Sequence, residues 1–181
     1  MDKLTELSRL VENLIRGGTI AEVDPAGPRC RVKSGKLLTD WIPYFQTRAG
    51  EDKEWDPVSV GEQCLVFSPS GLTSAGVALC GLPSDAFPAP DNSLTRRRRR
   101  YRDGAVVDYD MATHTLSATL PAGGKANITA PGGLHVIGDV VVEGKVTVSV
   151  DVVAGPQNIS LVGHKHGGIQ PGSGTSGAPQ P

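Results

Sequence analysis

The chain has 181 residues, a formal net charge of -1 and 20% charged residues. That leaves room for one domain with a substantial appendage and gives no overall pull toward nucleic acid or anionic lipid. The three cysteines, Cys30, Cys64 and Cys80, are widely spaced and form no C-x-x-C pair, which excludes a disulfide frame or zinc knuckle and favours reduced, buried thiols.

No run approaches the roughly 18 apolar residues of a membrane span, and no secretory signal pattern opens the chain, so synthesis in the cytoplasm without export is expected. The composition is polarised. Trp41, Trp55, Phe45, Phe67 and Phe87 all precede residue 90, whereas Tyr101 and Tyr109 are the phenolic or indole rings beyond residue 100. The two halves must therefore stabilise themselves differently.

From Asp2 to Arg16, Leu4, Leu7, Val11 and Leu14 recur at three- and four-residue steps, and Gly17-Gly18 supplies a stop. This predicts an amphipathic helix in a segment spanning residues 1–18. A helix of this length is marginal alone, so its apolar face must dock on its own domain, on copies of itself or on a partner.

Residues 19–82 alternate β-rich runs with turns: Thr19 to Val23, Cys30 to Val32, Thr39 to Phe45, Glu62 to Phe67 and Gly76 to Cys80. Five such strands predict a small closed or nearly closed barrel of OB type. An OB barrel invites a nucleic-acid reading, with Trp41, Tyr44, Phe45 and Trp55 as stacking rings. Their neighbours Asp40, Glu51, Asp52, Glu54 and Asp56 argue against a groove that tracks phosphate and for core or interface packing.

Residues 83–102 are predicted as a linker, Pro-rich from Pro83 to Leu94 and then Arg-rich through Arg96, Arg97, Arg98, Arg99, Arg100 and Arg102. Each arginine could neutralise a phosphate, which makes this run the strongest isolated argument for a polyanion. The competing reading is a solvated collar at a domain junction. Repeated around a three-fold axis, the run would suit acidic partner loops as well as phosphate.

Residues 103–161 begin with a hairpin pattern, Ala105 to Tyr109 and His114 to Leu120 about a turn at Asp110 to Thr113. Gly132, Gly138 and Gly144 then recur every six residues, between and before the runs Leu134 to Ile137, Val140 to Glu143 and Val146 to Val153. Short β-branched strands with glycine corners predict a β-prism or β-helix. One chain encloses too little apolar area there to offset about 1.5 kcal/mol of ordering entropy per residue. Three chains about one axis would share a valine core and remove free sheet edges.

In residues 162–181 the notable pair is His164 and His166, which an extended chain would turn to one face, with Lys165 turned away. Two imidazoles do not make a metal site, and no Cys, Asp or Glu follows Leu161. Taken alone the pair reads equally well as chance histidines in an exposed tail. Three parallel chains would instead supply six nitrogens in two layers, which suits an octahedral ion such as iron or nickel.

Gly18-Thr19-Ile20, Thr39-Asp40-Trp41-Ile42-Pro43, Arg48-Ala49-Gly50-Glu51, Val60-Gly61-Glu62-Gln63 and Gly76-Val77 resemble the N-terminal barrel of the phage baseplate assembly protein V family. The second half resembles it through Asp103-Gly104, Tyr109-Asp110, Gly138-Asp139-Val140, Asp151-Val152, His164-Lys165-His166-Gly167-Gly168 and the Pro171-to-Pro179 tail. The departures are the arginine run and Ala154-Gly155-Pro156.

Those proteins are the central membrane-piercing spikes of contractile-tailed phages and R-type bacteriocins. The resemblance implies an all-β homotrimer with a short N-terminal helix, an OB-fold collar, an intertwined β-helical shaft and an apex holding one iron per trimer through His164 and His166 of each chain. It implies a place at the distal tip of the virion tail baseplate. The implied partners are the tail tube, the hub, other baseplate proteins and, during penetration, the host outer membrane. The role would be structural rather than enzymatic. The alternatives are an OB-fold nucleic-acid binder and a spike-associated cell-wall hydrolase; the hydrolase would need an inserted domain that this chain lacks.

Overall fold

A computed structural model of the chain describes residues 2–165 together with Gly168 and Gly172. It divides into two units, Met1–Ala126 and Asn127–Pro181, so the division falls later than the junction expected after residue 102.

The first unit opens with helix α1 (Lys3–Asn13). Its Leu10 and Asn13 side turns inward, whereas Leu4, Leu7 and Val11 remain exposed. The helix is shorter than its hydrophobic period predicted. Leu14 caps it, and strand β1 (Ile15–Val23) begins at once. The reason is sheet pairing: Ile15 stands opposite Phe67 and Thr19 opposite Gln63 of β5 (Gln63–Phe67), which draws Gly17 and Gly18 into the strand. Gly18 serves close approach rather than helix termination. A Cβ there would lie 2.5 Å from Val32 Cγ1 and 2.7 Å from the Lys33 carbonyl oxygen.

β1 also pairs antiparallel with β2 (Arg29–Ser34), which carries β3 (Leu37–Leu38) and β4 (Ile42–Pro43). β5 pairs with β6 (Val77–Leu82), giving the order β3-β2-β1-β5-β6 with β4 on β2. The predicted strand from Thr39 to Phe45 is thus reduced to β4, and the hairpin strand β3 is added. A parallel bridge from Tyr44 to Ala78, with the Phe45 N–H donating to the Ala78 carbonyl at 3.0 Å, links the β4 end to β6 and closes the barrel.

Inside lie Ile20, Cys30, Val32, Ile42, Tyr44, Cys64, Val66 and Ala78. Cys30, Val32 and Ser34 alternate inward along β2, as a period of two requires. Cys30 and Cys64 are buried and Cys80 half-buried, all free, as their spacing suggested. The core is small, with Tyr44 as its one aromatic ring, and Trp41 and Trp55 stay outside it.

The expected linker over residues 83–102 is only partly irregular. Arg96–Arg100 form β7, the first strand of an antiparallel meander completed by β8 (Val106–Asp110) and β9 (Thr115–Thr119). The β8–β9 hairpin matches its sequence prediction within one residue at each strand end. The arginine strand was not anticipated, because its register with β8 is a property of the folded sheet.

The second unit forms the short hairpin β10 (Val153–Ala154) and β11 (Ile159–Ser160). Of the strands expected at residues 134–137, 140–143 and 146–153, the single chain forms none, save that Val153 begins β10. A strand needs a neighbour for its N–H and C=O groups, and this segment does not fold back on itself. No described residue of the unit is buried; Val140 is 68% and Val150 85% exposed.

Candidate functional site

Sheet alternation divides the arginine run between two faces. Arg96 stands opposite Asp110 and Arg98 opposite Asp108, continuing on β9 to Thr115 and Ser117. On this face Arg96 Nη1 donates to Asp91 at 3.1 Å and Nη2 to Asp110 at 3.0 Å. Arg98 donates through Nη2 to Asp108 at 2.6 Å, and its Nη1 lies 3.4 Å from Asp91.

These aspartates are about 14–17% exposed, so the pairs are partly withdrawn from water and more than ornamental. The Asp91 carboxyl is held below its ordinary range, first by the Ser93 N–H and further by Arg96. Asp110 is held low first by the Ala112 N–H and then by Arg96. The opposite face carries Arg97 and Arg99 beside Val107, Tyr109, Leu116 and Ala118. Arg99 reaches back to Asp56 at 2.8 Å and stacks 5.1 Å from the Tyr101 ring centre.

Of the six predicted contact arginines, Arg96, Arg98 and Arg99 are thus engaged inside the chain. Arg97, Arg100 and Arg102 are exposed and form no ion pair among the described residues. The partners Asp91, Asp108 and Asp110 were missed in the sequence. Asp108-x-Asp110 at strand spacing, facing Arg96-x-Arg98, was the available signal.

At the other end, the β10–β11 turn prepares the histidine segment. Asp151 Oδ1 accepts from the Val152 N–H at 2.8 Å and the Val162 N–H at 3.1 Å. Its carboxyl is held below the usual range, first by the Ser160 hydroxyl and then by the Val162 N–H. Ser160 Oγ also accepts from the Gly163 N–H at 2.7 Å, and the His164 N–H donates to the Ser160 carbonyl at 3.1 Å. His164 Nδ1 lies 3.0 Å from that same carbonyl oxygen and 3.1 Å from that of Leu161. The second predicted ligand, His166, lies outside the described residues. Among the described residues no group of three or more His, Cys, Asp or Glu could hold an ion.

Residues 16–82 match the family described as Type VI secretion system/phage-baseplate injector OB domain, and residues 158–180 match the GpV Apex motif. The spike protein of Escherichia phage P2 is 36% identical over 134 residues, which cover 71% of this chain and 64% of that relative. The first match contains the barrel from β1, less its first residue Ile15, to β6, and the second contains β11 and the histidine segment. With both ends accounted for in this order and a spike protein aligned over most of the chain, the chain is similar to phage baseplate spike proteins from its injector OB domain to its apex motif.

Proposed function

We propose that this protein is the central spike of a contractile-tail baseplate, acting as a homotrimer whose tip is pressed through the host outer membrane when the sheath contracts. The observation that carries the reading is the order of parts: an injector OB domain, a valine-rich segment with its apolar side chains exposed, and an apex motif. Three copies wound together would give the unpaired strands neighbours and cover the valines. The collar would attach to the tail tube and hub, with the exposed Leu4, Leu7 and Val11 face of α1 available for docking. The role is mechanical, not catalytic.

The tip suits an iron ion. His164 and His166 from three chains would provide six imidazoles, a donor set that an octahedral ion accepts and tetrahedral zinc does not readily satisfy. A ligating histidine ordinarily donates its other ring N–H to a carbonyl, and Nδ1 of His164 lies at that distance from the Ser160 oxygen. Bound there, the ion would supply a cross-link among three chains with no open coordination position. The chain's own contribution is the Asp151–Ser160 turn, which sets the backbone from which His164 projects.

Native mass spectrometry with elemental analysis tests the proposal. The expected mass is three times that of one chain, with about one iron per three chains. The pair His164→Ala and His166→Ala should remove the metal while leaving the trimer. A monomer, one metal per chain, or undiminished metal in the double variant would overturn it.

A further inference from the structure

We propose that Arg100 and Arg102 clamp the acidic loop Glu51-Asp52-Lys53-Glu54 of a neighbouring copy, so that a ring of arginine–carboxylate contacts closes the collar. The inference rests on the trimeric reading above and adds the surface through which the collars recognise one another.

Two sets of opposite charge are left unsatisfied in the first unit. Arg100 and Arg102 are exposed without an ion pair among the described residues, and so are Glu51, Asp52 and Glu54. Both sets belong to ordered backbone. The arginines lie on or just beyond β7. The loop is pinned where the Asp56 N–H donates to Gln46 Oε1 at 2.9 Å and Gln46 Nε2 donates to the Asp56 carbonyl at 3.2 Å. Higher up, Ala49 bridges Lys53 and the Glu54 N–H donates to the Arg48 carbonyl at 3.1 Å.

The base of the loop already touches the arginine strand, through Asp56 and Arg99 at 2.8 Å. The same chain thus sets both charge sets in one region yet leaves them unjoined, because the loop tip closes on itself through the Gly50 N–H and the Asp52 carbonyl at 3.1 Å. Rotation about an axis offers each loop to the next copy's arginines. Guanidinium forks match carboxylates in paired hydrogen bonds, which gives such a contact register as well as attraction.

Nucleic acid is the weaker occupant. Asp56, Asp91, Asp108 and Asp110 stand among the same arginines and already neutralise three of them, whereas counterion release rewards cations that are free to meet phosphate.

The test uses the full chain carrying Arg102→Lys, treated with a water-soluble carbodiimide that joins an amine to a carboxylate with loss of water. Covalent dimers and trimers are expected, with the new link mapping to Glu51, Asp52 or Glu54. Their yield should fall about tenfold in 1 M salt, where the screening length is about 3 Å. Separately, Arg100→Glu with Arg102→Glu should lower the melting temperature of the collar, and adding Glu51→Arg with Glu54→Arg should restore it. A trimer by native mass that yields no interchain link at this loop, or no rescue by the charge swap, overturns the clamp alone. Loss of binding to a labelled oligonucleotide in the Arg100→Glu and Arg102→Glu variant, without loss of collar stability, overturns it in favour of a polyanion site. A monomeric parent chain overturns the assembly reading itself.

Discussion

Gly71 lies against the Leu10 backbone of α1, and Gly71→Ala should loosen the collar. Gly71 ends a short 3₁₀ turn (Pro69–Gly71) and sits at φ +71°, in the left-handed region that costs a non-glycine residue about 1–2 kcal/mol. An added Cβ would stand 2.6 Å from Leu10 Cα and 2.7 Å from the Leu10 carbonyl carbon. Both are backbone atoms of α1, so no side-chain rotation relieves the contact and the helix must move. Displacing it endangers the hydrogen bond from the Ser68 N–H to the Leu14 carbonyl at 2.9 Å, worth about 1 kcal/mol.

The sum, roughly 2–3 kcal/mol, corresponds to a fall of about 10–20 °C for a unit of this size. Trp41 and Trp55 both belong to the collar, so tryptophan fluorescence follows its melting without contribution from the rest of the chain. Gly17→Ala is the control, because a Cβ there meets nothing within 4 Å. A Gly71→Ala melting temperature within about 2 °C of the parent would refute the reasoning.

The arginine ladder should show in acid. Asp91 and Asp110 titrate below their ordinary range when folded, so their stabilisation is present above the unfolded value near about 4 and is lost as pH falls through the depressed folded values. Between pH 5 and pH 3 the parent should therefore lose more thermal stability than Asp91→Asn with Asp110→Asn, and equal losses would contradict the ladder. Burial pushes the Cys30 thiol up to about 11; the hydrogen bond between Cys64 and Cys80 raises the Cys80 thiol and lowers that of Cys64. Cys30 and Cys64, both sealed in the core, should resist a disulfide reagent at pH 8 in the native protein and react once it is unfolded; rapid native labelling of either would show that the barrel opens.

Much of this protein was legible residue by residue. The Leu4, Leu7 and Val11 stripe foretold the helix, the β-rich runs between turns foretold most of the barrel, and Asp110 to Thr113 foretold the turn between β8 and β9. These are local patterns, written by a period of 3.6 or 2 and by turn chemistry. The family resemblance was carried by short motifs in order along the chain, and it needed no coordinates.

The tertiary structure decided what depends on residues distant in sequence. Pairing of β1 with β5 overrode the helical continuation through Leu14 to Arg16 and turned Gly18 from a stop signal into a point of close approach with Val32. Contact between Tyr44 and Ala78 closed the barrel. Asp91, Asp108 and Asp110 converted part of an apparent polyanion site into an internal ladder. A run of arginines announces charge, but whether that charge faces a partner or an aspartate of its own sheet follows from strand register, and register is a relation between segments that no single segment contains.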